Sequence, residues 1–110
     1  MKRVQPSSAE NYIQVLDGIT RKTLVFGQNT LLCEFKLQKG KKLPLHKHPE
    51  EQTGYLLNGH IILHIDGESF NIQPGDSWAI SGNLEHAADI LEDSVAIEVF
   101  SPLRKDYLPA

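Results

Sequence analysis

From Thr20 onward, apolar and polar residues take turns for short stretches and then give way to clusters of Gly, Pro, Asn and Asp. A period of two marks a strand with one face on a core. The pattern predicts strands at 20–26, 30–37, 43–48, 52–57, 60–65, 69–72, 78–80, 85–91 and 95–100. Asn58-Gly59 and Asp66-Gly67 read as tight hairpins, because these residues tolerate positive φ. Gly27-Gln28-Asn29, Gln38-Lys39-Gly40, Pro74-Gly75-Asp76, Ser81-Gly82-Asn83 and Glu92-Asp93-Ser94 mark the other turns. No stretch keeps a helical period, so the chain is expected to be an all-β barrel or sandwich.

The ends are less patterned. Ser7 or Ser8 can cap a single helical turn, or residues 1–17 can form an extended arm. The expected organisation is an N-terminal arm, 1–17, followed by one barrel domain, 18–110. Pro102 stops the last strand, and the tail beyond it is expected to fold over a barrel rim.

Bulk properties narrow the function. The 110 residues suffice for one core and one enclosed pocket. A net charge of −3 argues against nucleic acid as a partner, and Lys36, Lys39, Lys41 and Lys42 lack interleaved aromatics. Cys33 is the only cysteine, which excludes an internal disulfide and suits a cytoplasmic protein. It alternates with Leu31, Phe35 and Leu37 and reads as a small buried hydrophobe. The opening MKRVQPSSAEN has no apolar run after its basic residues, so neither a signal peptide nor a membrane anchor is expected there.

The chemistry concentrates at His46, His48, Gln52 and His86. Alternate strand residues share a face, so His46 and His48 point together while Lys47 points away. Two imidazoles, an amide oxygen and a distant third imidazole suit a four-ligand divalent metal site. Glu50 and Glu51 compete with Gln52, because Pro49 interrupts strand parity. His60 and His64 share a face with Ile62 and read as surface or packing histidines. Glu98 lies on the face of Ala96 and Phe100 in an apolar strand. There it is either a solvent-facing residue or an acid/base group in a wet cavity. Arg104 suits a substrate carboxylate, or pairs with Asp106.

The series Gly40, His46-Lys47-His48, Gln52, Gly59 resembles the first motif of the cupin family. Pro74-Gly75-Asp76 with Ser81-Gly82-Asn83-Leu84-Glu85-His86 resembles the second, and the resemblance covers about 18–108. The resemblance implies a double-stranded β-helix, or jelly-roll, barrel with a divalent metal on His46, His48, Gln52 and His86. Cupins usually supply an acidic residue where Gln52 stands, and proline where Ser81 stands. Three imidazoles and an amide leave the ion's double charge uncompensated, which favours an anionic substrate and a metal such as Zn, Ni or Mn.

The ending from Glu98 to Leu108 is similar to that of the small cupins of pectin and alginate degradation, which linearise unsaturated monouronates. Those proteins carry an acid, an aromatic and an arginine at the spacing of Glu98, Phe100 and Arg104, although their acid is typically aspartate. Their Gln also stands one residue further from the histidine pair. The resemblance implies that Glu98 moves protons, Phe100 packs on the sugar ring and Arg104 holds the carboxylate. It further implies a small anionic sugar as partner and a homodimer, with 1–17 available for exchange. A quercetinase-like dioxygenase and a non-catalytic sugar-binding cupin are the alternatives.

Overall fold

A computed structural model describes residues 3–109. Its strands are β1 (Ile13–Leu16), β2 (Ile19–Phe26), β3 (Leu31–Leu37), β4 (Lys42–His46), β5 (Glu51–Ile65), β6 (Glu68–Ile72), β7 (Ser77–Ile80) and β8 (His86–Ser101). A single 3-10 turn, Lys105–Tyr107, follows. Every pairing is antiparallel.

Two long strands organise the barrel. The first half of β5 pairs with the second half of β8, in one sheet with β1, β2, β3 and β7. Their other halves pair in a second sheet with β4 and β6. Both strands therefore pass from one sheet to the other, the arrangement of a jelly roll.

Two predicted turns are the corners of these strands. Asn58-Gly59 is not a hairpin: β5 continues through it, with register shifts against β8 at Leu56–Asn58, Asn58–His60 and His60–Ile61. Gly59 has φ +97, and a Cβ there would lie 2.0 Å from Ser94 Oγ. Glu92-Asp93-Ser94 is likewise not a break, because β8 runs through it. Positive φ serves a bulge as well as a turn, and pairing along both strands decides between them. Asp66-Gly67 is a hairpin turn as expected, with φ 49 and 82 and Ile65 facing Glu68.

Alternation fills the interior. Leu31, Cys33, Phe35 and Leu37 from β3 meet Leu56 from β5 and Ala96 and Phe100 from β8 in one buried cluster. Burial raises the Cys33 thiol to about 12, so it packs as an inert hydrophobe. Within residues 1–17, Ile13–Leu16 joins the sheet by pairing with β2 of the same chain. Ser8 Oγ accepts from the Glu10 amide, but no helical turn follows. No helix among the described residues is long and apolar enough to cross a membrane. The tail packs Leu103, Tyr107 and Leu108 against the core.

Candidate metal centre

Three loops and strand ends converge at one end of the barrel. His46 ends β4 and His86 begins β8, and the two face each other across the β4–β8 seam. His48 lies past the end of β4, where its carbonyl accepts from the Asn83 amide at 2.7 Å. Gly82 makes this close approach possible, because a Cβ there would sit 2.2 Å from Pro49 O. Gln52 opens the inward face of β5. The ring centroids of His46, His48 and His86 lie 4.1–5.8 Å apart.

The backbone fixes the tautomers. His46 Nδ1 meets Pro44 O at 2.8 Å, His48 Nδ1 meets Glu50 O at 2.9 Å, and His86 Nδ1 meets Leu84 O at 2.8 Å. A carbonyl only accepts, so each Nδ1 carries the proton and each Nε2 presents a lone pair. One ring nitrogen of each histidine lies within 4.8 Å of the others. His86 Nε2 is buried and has no partner.

Gln52 completes the set. Its Nε2 donates to Glu98 Oε1 at 2.7 Å, which turns Oε1 toward His48 Nε2, also at 2.7 Å. Two acceptors in contact repel unless a cation joins them, and flipping the amide would set its oxygen against the carboxylate. The orphaned nitrogen and the facing acceptors fit a divalent ion held by His46, His48, Gln52 and His86. Desolvation lowers His86 to about 4 and also lowers His48, with a further push from the Arg104 charge. Both rings therefore stay neutral and available as ligands below the ordinary histidine range.

The competing acids lie elsewhere. Glu50 sits on the Nδ1 side of His48, 3.6 Å away, and 3.8 Å from Arg104 Nε. Glu51 is exposed.

Glu98 faces the interior between Cys33 and Gly54 in the sheet register. Its Oε1 accepts from Gln52 and from Trp78 Nε1, the latter at 2.9 Å. Desolvation outweighs these donors and the Arg104 charge, and raises its pKa. Phe100 is 1% exposed, with its ring edge-on to His48 at 5.7 Å and to Tyr107 at 5.3 Å. Arg104 is 5.2 Å above Phe100 and 4.0 Å above Tyr107, with its side chain 15% exposed. It also donates to Tyr107 Oη at 2.9 Å and pairs with Asp106 at 3.1 Å.

Sequence reasoning missed Trp78 and the glycine that admits it. Trp78 stands opposite Gly54, where a Cβ would lie 2.2 Å from the indole. A tryptophan alternating with Ile80, across from a strand-interior glycine, was the available signal. The outer histidines behave as expected, His64 between Ser69 and Asp89 and His60 against Asn71.

Comparison with known proteins places this geometry. Residues 33–101 match the cupin domain family. The pectin degradation protein KdgF of Dickeya dadantii (strain 3937) is 31% identical over 94 residues, covering 84% of this chain and 86% of that protein. The structure of KdgF from Halomonas sp. matches with a TM-score of 0.91 at 28% identity, covering 98% of this chain and 100% of that one. An RmlC-like cupin from Shewanella frigidimarina NCIMB 400 matches at a TM-score of 0.92 and 22% identity, covering 98% and 97%, and shares the fold. Two long corner-turning strands, a converging histidine triad and a family match over most of the barrel lead to one conclusion: the chain belongs to the cupin domain family.

Proposed function

We propose that this cupin is a metal-dependent enzyme that opens 4,5-unsaturated monouronates to their linear keto form. One observation carries the reading: Gln52 turns its oxygen toward the histidine cluster while its nitrogen holds Glu98. A metal ligand and a carboxylate of raised pKa thus share one side chain. Similarity to the two KdgF proteins, one of them named for pectin degradation, supports a uronate substrate.

A divalent ion on His46, His48, Gln52 and His86, with Zn, Ni or Mn the metals of choice, supplies Lewis acidity and an uncompensated positive charge. The remaining work falls to the chain. Ring opening breaks the bond between the ring oxygen and the anomeric carbon as the anomeric hydroxyl loses its proton and the ring oxygen gains one. An aldehyde and an enol result. The enol then gains a proton on carbon and releases one from oxygen, so atoms balance. Glu98 is the group for these transfers, since burial raises its affinity for protons. Trp78 and Gln52 both bind Oε1, which fixes the carboxylate.

Arg104 takes the substrate carboxylate in this scheme. Its Nε has no hydrogen-bond partner, and stacking on Phe100 and Tyr107 holds the guanidinium plane. Phe100 serves by walling His48 and Arg104 into place.

Mixing metal-loaded protein with an unsaturated monouronate tests the proposal. The ultraviolet absorbance of the conjugated enol should vanish in proportion to enzyme, and persist after chelation. A loaded sample that leaves the absorbance to decay at the uncatalysed rate overturns the reading.

A further inference from the structure

A second cation faces the interior without an acid to pair with. Arg21 of β2 lies on the side of Ile19 and opposite Phe35, among residues that fill the barrel. Its guanidinium stacks on the Tyr107 ring at 3.8 Å. Among the described residues it makes no salt bridge or side-chain hydrogen bond, and its Nε is shielded from solvent with no partner. Leaving such a group unpaired is costly.

Arg21 lines a cavity of about 720 Å³. Ile13, Leu24, Phe26 and Leu108 make its wall mostly apolar, and Tyr107 closes it on one side. None of His46, His48, Gln52, His86 or Glu98 lines it. The Tyr107 ring carries both Arg21, at 3.8 Å, and Arg104, at 4.0 Å, and packs edge-on to Phe100, whose ring in turn meets His48. The other charged groups along the cavity are spoken for. Lys22 Nζ donates to Ser8 O at 2.6 Å, and Asp106 pairs with Arg104.

We propose that this cavity is a second ligand site, separate from the metal centre, in which Arg21 binds the carboxylate of a small monocarboxylic acid with an apolar body. The planar fork supplies N–H donors matched to a carboxylate, and the apolar wall takes the rest of the molecule.

The probe is sodium benzoate, with benzamide as its neutral counterpart, titrated into full-length protein carrying 15N-labelled arginine. Benzoate should shift the Arg21 Nε–H signal saturably, both in metal-loaded protein and after chelation. Arg21→Met should weaken benzoate binding about tenfold or more, and Arg21→Lys, which keeps the charge but not the fork, should weaken it less. Benzamide should leave the signal in place. An unmoved Arg21 signal, an equal response to benzamide, or binding that disappears on chelation each overturns the proposal. Should Arg21→Met fail to fold, the unmutated signal and Arg21→Lys decide the matter. None of these readouts depends on uronate turnover.

Discussion

The barrel carries histidines on both sides of its wall, and the two groups differ in what holds their nitrogens. Inside, His46, His48 and His86 each give Nδ1 to a backbone carbonyl two residues away, so three Nε2 atoms are left to converge. Outside, His64 spends both nitrogens on side chains, Nδ1 on Ser69 at 2.7 Å and Nε2 on Asp89 at 2.9 Å. His60 likewise commits Nε2 to Asn71. The residue type is shared between the groups, yet only one is free to bind an ion. A local backbone acceptor makes a histidine a ligand, and a side-chain partner turns it into a surface tie.

The sharpest way to break this contrast is to truncate one histidine from each group. His86→Ala should reduce metal content, read by elemental analysis, to background and abolish turnover. His64→Ala should keep full metal occupancy and cost less than about 1 kcal/mol of stability, since it removes only a half-exposed pair. Equal metal loss in both variants would erase the distinction.

Glu98→Gln comes next. It keeps an oxygen for Gln52 and Trp78 but removes the proton carrier, so kcat should fall by about 10²–10⁴-fold with metal content unchanged. Stability should move the other way. A carboxyl whose folded pKa is raised contributes most when protonated, and that contribution is lost as pH rises from the ordinary carboxylate value through the folded one. The uncharged variant escapes this loss, so the metal-free protein should be at least as stable at pH 7 by urea denaturation. Full residual activity would eliminate Glu98 as acid/base.

Two smaller effects test the packing behind the inner group. Gly54→Ala drives a methyl into the Trp78 indole and should cost about 1–3 kcal/mol in denaturant titration. It should also lower activity by displacing the donor that fixes Glu98. Acid should weaken the metal-free fold through His86. Its folded pKa of about 4 lies below the ordinary imidazole value of 6.5, so the unfolded chain takes up the proton first. Stability present above pH 6.5 should fall as pH drops toward 4, by on the order of 3 kcal/mol. His86→Gln should flatten that slope.

The alternation rule put Glu98 on the face of Ala96 and Phe100, which proves to be the inner one, whereas His48 reaches the site from the loop past β4 rather than by strand parity. It was not enough to separate Glu50 from Gln52, since Pro49 leaves the strand and tertiary contacts with Gly82 and Asn83 fix the loop. Asn58-Gly59 misled for a related reason. Its conformational signal is real, φ +97 at Gly59, but neighbouring strands decide whether it reverses the chain or bends it. Arg104 pairs with Asp106, one of its two expected partners, and keeps Nε unbonded. Arg21 escaped notice because adjacent cations in a β-rich run do not show which faces inward until the tail brings Tyr107 onto one of them.

The seam between β4 and β8 is held by only three register partners, Lys42 with Asp89, Leu43 with Ala88 and His46 with His86. The last of these pairs consists of two of the convergent imidazoles. An ion gripping both would act as a rivet through this short join of the barrel wall, so uptake of the ion and fastening of the shell become a single event.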